Sequence, residues 1–222
     1  MNFERMCMGL AVAAAAAAAW AQSGMDVGLV NGMSGAPTYQ SQGAPLGKVQ
    51  AYMRVREGDR FSVPAGGTLR VVYFQGGRQE TWSGPASFRA GQGQSGEAAG
   101  SAPQIAMLPI VAPQKMARVP DLIQSAMLGG VTVRGGAVAA PQALSEQEKA
   151  EIAQAREAYR GMRAQAAADD ITPELYLMAV LQEVSLYDDM RSLIDEMQRR
   201  QPESQVVRDL AKWVQARLGG AR

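Results

Sequence analysis

The chain has 222 residues but no histidine and only one cysteine, Cys7. A serine or cysteine nucleophile normally needs a histidine base, and most zinc sites are built from histidine and cysteine. A single cysteine also excludes an intrachain disulfide, so the fold must depend on its hydrophobic core. We therefore expect a protein that is not an enzyme, with no catalytic residues, no metal site and no cofactor.

A large excess of one charge is also lacking. Lys and Arg number 22 and Asp and Glu 21, which gives a formal net charge of +1. This balance does not call for a nucleic-acid partner. The charges are unevenly placed, since residues 46–134 hold 10 basic and 5 acidic residues, whereas residues 135–222 hold 11 and 14. The two halves therefore have net charges of opposite sign, +5 and −3.

The only long apolar run stands at the N-terminus. "MNFER" carries an arginine, an alanine-rich run follows, and Ala19-Trp20-Ala21 fits the small-x-small rule for signal peptidase. This pattern is typical of a secretory signal. We expect a signal peptide at 1–21, cleavage near Gln22 and a periplasmic or secreted protein. Because a membrane helix needs about 20 apolar residues, we expect no membrane span.

Composition divides the rest of the chain. The segments 34–47 and 91–103 are rich in Gly, Ser, Gln and Ala, and we expect a long loop and a mobile insertion there. The segment 135–144 resembles an interdomain linker. The predicted organisation is therefore a β domain at 22–134, a linker, and a helical domain at 145–218.

Period-two alternation dominates the first half. Leu69, Val71 and Tyr73 point to one side of a strand and Val72 and Phe74 to the other, which indicates a central strand covered on both faces. Glycine pairs at 66–67 and 76–77 predict tight turns, and Gly84-Pro85 predicts a bend. A short helical segment at 115–128 and a closing strand at 130–135 complete this half. The fold class is predicted as α+β, with an antiparallel sandwich or roll followed by helical hairpins.

The first half also resembles the FecR-like periplasmic domain. The resemblance covers residues 27–134 and rests on a strand, a Gly-Asp pair, an alternating strand and a Gly-Pro-Ala element. The matching positions are Val30, Gly32, Gly58, Asp59, Leu69, Val71, Gly77, Gly84, Pro85 and Ala86. The resemblance implies a non-catalytic periplasmic β domain, here without the transmembrane and cytoplasmic segments of FecR regulators.

The second half changes to helical periodicity. Ser145 and Glu148 form a capping box, Thr172 is predicted as an N-cap, and breaks are expected near Ser185 and Pro202. The 34 residues from 171 to 204 have the length of a tetratricopeptide repeat and resemble one. The repeat's core positions would be Leu177, Met178, Leu181, Met190, Ile194 and Met197. We expect four helices in two hairpins.

Three hypotheses of function follow. The first is an interaction module for other envelope proteins, in which Tyr176, Glu183, Arg191 and Gln198 lie off the apolar stripes and face a partner. The second is a sensor or binding module for cell-wall or surface glycan, which would use a basic patch of Arg54, Arg56 and Arg60. The third is a carboxylate-dependent envelope hydrolase using the pairs Asp169-Asp170 and Asp188-Asp189, although both pairs suit helix starts.

Overall fold

The computed structural model describes residues 24–109, 113–128 and 143–219. The predicted signal peptide and the predicted closing strand at 130–135 lie outside these residues, and the predicted linker is described only at 143–144. The strands are β1 (Asp26–Ser34), β2 (Thr38–Gln40), β3 (Gly47–Lys48), β4 (Arg54–Arg56), β5 (Arg60–Val63), β6 (Thr68–Tyr73), β7 (Arg78–Ser83), β8 (Ala86–Ala90), β9 (Ser95–Gly100) and β10 (Gln104–Met107). The helices are α1 (Pro113–Met116), α2 (Val119–Met127), α3 (Glu146–Gln165), α4 (Thr172–Glu183), α5 (Met190–Arg200) and α6 (Gln205–Gly219).

The strands form two antiparallel five-stranded sheets. Sheet A has the order β10-β7-β6-β1-β4, and sheet B has the order β3-β2-β5-β8-β9. The predicted α+β class, with strands first and helices after them, is confirmed.

β6 is the middle strand of sheet A, as its apolar alternation predicts. Val71 and Val72 point to opposite faces of the sheet and both are fully buried. The turns on either side use positive φ angles, 76° at Gly66 and 77° at Gly76. Residues that have a side chain rarely adopt this backbone conformation, which is why glycine occupies these turns.

The inner faces of the two sheets enclose an aromatic core. Trp82 of sheet A stacks on Phe88 of sheet B with ring centroids 4.5 Å apart, and Phe88 stacks on Phe61 at 5.1 Å. The chain passes between the sheets at the predicted bend, since β7 ends at Ser83 and β8 begins at Ala86. This stack therefore joins the two halves of the sandwich.

Two segments that we expected to be loops contain strands. Residues 34–47 include β2, which pairs with β5, and residues 91–103 include β9, which pairs with β8. The expectation of unpaired chain was therefore wrong for both. β9 consists of Ser, Gly, Glu and Ala, and such small residues give no alternation signal although their backbone can still complete an edge.

The helices cover the outer face of sheet A, so the order of layers is sheet B, sheet A, helices. Leu29 of β1 and Tyr52 belong to the same apolar core as the helices. Polar contacts cross the same boundary: Asn31 Nδ2 donates to Thr172 Oγ1 at 3.2 Å, and Arg70 Nη1 donates to Asp170 Oδ2 at 2.8 Å. The middle of sheet A is thus buried on both faces.

The four helices expected after residue 145 are present. Ser145 and Glu148 form the predicted capping box, and α4 and α5 end before Ser185 and Pro202 as predicted. Thr172 is the first residue of α4 instead of its N-cap. The six predicted core positions of the 34-residue segment are all buried, with side chains of Leu177, Met178, Leu181, Met190, Ile194 and Met197 in the helical core.

The helical layer begins earlier in the chain than we expected. The helical segment predicted at 115–128 exists as α1 and α2, but α2 packs on α4 and α6, and α1 packs on α4. Leu122 and Met116 are fully buried in the helical core. The predicted boundary, which placed this segment in the β domain, therefore does not describe its packing.

Candidate partner-binding groove

A groove of about 840 Å³ lies between α3 and α5, and we call it the α3–α5 groove. Its floor comes from α4, where Leu177 and Leu181 are 6% and 1% exposed, together with Leu193 of α5. Its walls carry mainly polar and charged side chains: Arg156, Tyr159, Arg160, Asp188, Asp189, Arg191, Ser192, Asp195, Glu196 and Arg199. The groove therefore combines a narrow apolar floor with charged walls.

Ion pairs organise these walls. Arg156 Nη2 of α3 lies 2.6 Å from Asp189 Oδ2 beside α5, so this pair joins the two sides of the groove. Arg191 pairs with Asp188 at 3.3 Å. The walls hold four arginines and four carboxylates, so their charges balance. Such balance leaves no general attraction for a polyanion or a polycation.

Two carboxylates of α5 differ in their surroundings. Glu196 bonds to Arg199 and Arg200, and the hydrogen bond from Arg199 lowers the pKa of Glu196. Asp195 is exposed, and among the described residues it is the one wall carboxylate without a basic partner. The carboxylate of Asp195 can therefore accept hydrogen bonds from a lysine or arginine of a binding partner.

A buried charge cluster fixes α3 against α4 below the groove. Glu174 is fully buried, and Arg163 Nη1 donates to its Oε2 at 3.1 Å. Tyr159, which also lines the groove, donates its hydroxyl to Glu174 Oε1 at 3.4 Å. Burial raises the pKa of Glu174, and burial also raises that of Tyr159. The cluster thus ties a wall residue to the helix that forms the floor.

The four helical residues expected to face a partner have different positions. Arg191 lines the groove with 62% of its side chain exposed. Gln198 is exposed on another side of α5. Glu183 pairs with Lys115 at 2.7 Å and with Arg118 at 3.1 Å, so it joins the end of α4 to the earlier helices.

Tyr176 does not face outward, and this prediction was wrong. Its side chain is fully buried, and burial raises its pKa to about 12. Every residue from Thr172 to Leu181 is buried because α4 has neighbours on all sides. An argument from one apolar stripe assumes an exposed opposite face, which α4 lacks.

The expected basic patch on the β domain is divided and neutralised. Arg54 and Arg56 lie on β4 of sheet A, whereas Arg60 lies on β5 of sheet B. Asp26 pairs with Arg54 at 2.9 Å and with Arg56 at 3.5 Å, and Glu97 pairs with Arg60 at 3.7 Å. A hydrogen bond to Asp121 raises the pKa of Arg54. The three arginines therefore form no common surface of positive charge.

Only one of the two acidic pairs is divided between different surroundings. Asp170 is 5% exposed, pairs with Arg70, and accepts the backbone N–H of Thr172 at 2.8 Å, whereas Asp169 is exposed. Asp188 and Asp189 both line the groove, and the sequence argument missed this because it treated both pairs only as helix starts. The i, i+4 spacing of Arg156 and Arg160 marks one face of α3, but it does not say what that face meets.

Comparison with known proteins adds no relative: no family model matches the chain, and no curated protein or solved structure is significantly similar to it. Within residues 24–109, 113–128 and 143–219, no group of three or more Cys, Asp or Glu side chains is placed to hold a metal ion. In the same part of the chain, no helix has both the length and the hydropathy required to cross a bilayer.

Proposed function

We propose that this protein is a non-catalytic interaction module of the bacterial cell envelope that holds a segment of another envelope protein in the α3–α5 groove. The observation that carries the proposal is the groove itself, with its apolar floor, its charged walls and the free acceptor at Asp195. Grooves between paired helices commonly receive peptide segments. The periplasmic location comes from the sequence of residues 1–21.

The groove also suggests the chemistry of the segment. An apolar side chain would contact the half-buried ring of Tyr159 and the little surface that Leu177 and Leu181 leave open, and a neighbouring lysine or arginine would reach Asp195. Because the remaining wall charges already have partners, additional charges on the segment would contribute little. We therefore expect an exposed stretch that combines one or two apolar residues with a basic one.

The alternative, glycan binding through Arg54, Arg56 and Arg60, has less support. Each arginine would have to leave a carboxylate of the same chain before it could bind a ligand, and the three lie on two sheets. Co-sedimentation of the exported protein with purified peptidoglycan tests this alternative directly. Retention that is lost when the arginines become glutamines would favour it.

The groove is tested with substitutions at exposed positions. Ser192→Trp fills it from α5, and Asp195→Arg reverses its free charge. Gln198→Trp and Glu203→Arg make the same chemical changes at exposed sites away from the groove lining. Affinity capture from envelope extracts is quantified for all four variants and the unchanged chain. We expect the captured amount of at least one envelope protein to fall about tenfold or more with both groove variants and to be unchanged with both controls.

A photoreactive amino acid then tests contact in the cell. Placed at Ser192, it should cross-link to the protein identified by capture, whereas placed at Gln198 it should not. If all four variants retain the same proteins, or if only Gln198 cross-links, the groove is not the binding site.

A further inference from the structure

The outer strand of sheet A presents an apolar surface that the groove does not involve. β10 stands at the edge of the sheet, and all four of its residues are exposed. Ile105 is 52% exposed and Met107 57%. The strand contains neither a charge nor a proline.

The other sheet edges in the described part of the chain are protected. β4 carries Arg54 and Arg56, and β3 has two residues, one of them Lys48. β9 carries Glu97, which pairs with arginines of its own sheet. Charges and short length are the usual means by which proteins keep an edge strand from pairing. β10 contains neither a charge nor a proline, so it lacks this protection.

The backbone groups that β10 leaves free can be identified from its pairing with β7. Leu108 N–H donates to Gly77 O at 2.8 Å, and the register places Ala106 opposite Gln79. In an antiparallel ladder, alternate residues point their N–H and C=O groups to the same side. Gln104, Ala106 and Leu108 therefore bond toward β7, and the backbone groups of Ile105 and Met107 point away from the sheet.

We propose that β10 pairs with β10 of a second copy of this chain, antiparallel, about a two-fold axis at Ala106. In this register Ile105 lies opposite Met107 of the partner subunit, and Met107 lies opposite Ile105 of the partner subunit. Both pairs are of the hydrogen-bonded type, so about four backbone hydrogen bonds form. The two sheets A become one continuous sheet across the axis.

The second copy fits because the strand is complementary to itself in this register. Ile105 and Met107, whose backbone groups point away from the sheet, pair with each other across the axis, and their apolar side chains lie together on one face. The strand carries no charge, so no like charges are brought together. A specific interface commonly buries about 1,600 Å², and contact between two strands of this length provides less. The dimer is therefore weak and reversible, and it forms at high local concentration.

Cross-linking through Ala106 tests the register. The two Ala106 residues form a pair without hydrogen bonds, with Cα atoms about 4.5 Å apart, which suits a disulfide. Ala106→Cys in the exported protein should give a disulfide-linked dimer under mild oxidation. Gln104→Cys on the same strand should not, because the two positions would be about 13 Å apart along the strands. Equal cross-linking of both variants, or none with Ala106→Cys, would overturn the register.

Sedimentation of the same exported protein tests the association itself. We expect the mean mass of the unchanged chain to rise toward that of a dimer between about 10 and 500 μM. Ile105→Lys with Met107→Lys should weaken association at least tenfold. Met25→Lys with Leu46→Lys, which adds the same charge at residues 68% and 66% exposed, should not. A monomer over the whole range, as expected if another protein or another segment of this chain occupies β10, refutes the proposal.

Discussion

Asp170→Ala should destabilise the β sandwich and the helices together. Asp170 bonds to Arg70 of β6 through Oδ2 and to the N–H of Thr172 at the start of α4 through Oδ1, both at 2.8 Å. Sheet A has its second face buried by the helices, so neither part can unfold without exposing apolar surface of the other. The expected result is one cooperative transition with a lower midpoint.

The size of the effect follows from two lost interactions. The N–H of Thr172 is buried, and a buried donor without an acceptor costs about 1–3 kcal/mol. The ion pair contributes about 1 kcal/mol, because the Arg70 side chain is 24% exposed and water can partly replace the carboxylate. The free energy of unfolding should therefore fall by about 2–4 kcal/mol, which shifts a urea midpoint by about 1–2 M.

The two tryptophans of the described chain report on the two parts separately. Trp82 lies in the sandwich core and Trp213 in the helical core. In the exported protein, cleaved near Gln22 and so without Trp20, Trp213→Phe and Trp82→Phe each leave one reporter. In each background, the fluorescence transition should coincide with the loss of far-ultraviolet circular dichroism. Asp170→Ala should lower the midpoint of both. The control Asp169→Ala removes an exposed carboxylate and should change the stability by less than about 0.5 kcal/mol. Two separate transitions, or a shift of the Trp213 signal alone, would refute the reasoning.

Three further predictions concern backbone space, pH and export. Gly84→Ala would place a Cβ 1.8 Å from Pro64 O and should prevent folding or cost more than about 4 kcal/mol by thermal unfolding, whereas Gly96→Ala, with no atom within 4 Å of the added Cβ, should be nearly neutral. Because burial raises the pKa of Glu174, the folded chain holds that proton more tightly than the unfolded chain, and stability should fall as pH rises from the ordinary value of 4.5 through the raised one. Denaturation at a series of pH values should show that the unfolding free energy of Glu174→Gln no longer falls with pH in this range. If the variant shows the same fall as the unchanged chain, other groups cause it and the prediction is wrong. Mass analysis of the exported protein should find an N-terminus at or near Gln22, and a cytoplasmic chain that keeps Met1 would contradict the predicted signal peptide.

Features that depend on neighbouring residues could be predicted from the sequence. Alternation identified β6, positive φ explained the glycine turns, and the capping box located the start of α3. Each depends on interactions within a few residues, which are the same in any tertiary context. Small-residue strands such as β9 lack that local signal, and they were missed for this reason.

The groove shows where local patterns stop being informative. Arg191 was placed correctly at the surface, but its neighbours Arg156 and Asp189 are 33 residues apart in the chain and meet only because α3 and α5 lie side by side on α4. No spacing within one helix encodes such a contact. The same applies to the arginines of the β domain, whose carboxylate partners come from other strands and from α2.

The sequence by itself determined the class of fold, with strands before helices, and several helix boundaries, because turn, cap and periodicity signals act over a few residues. The tertiary structure decided what each face meets. Tyr176 lies inside because the earlier helices α1 and α2 also pack on α4, on a side that one helical hairpin would leave open. Asn31 and Thr172 are 141 residues apart in the chain yet bonded, and such contacts arise only when all three layers assemble.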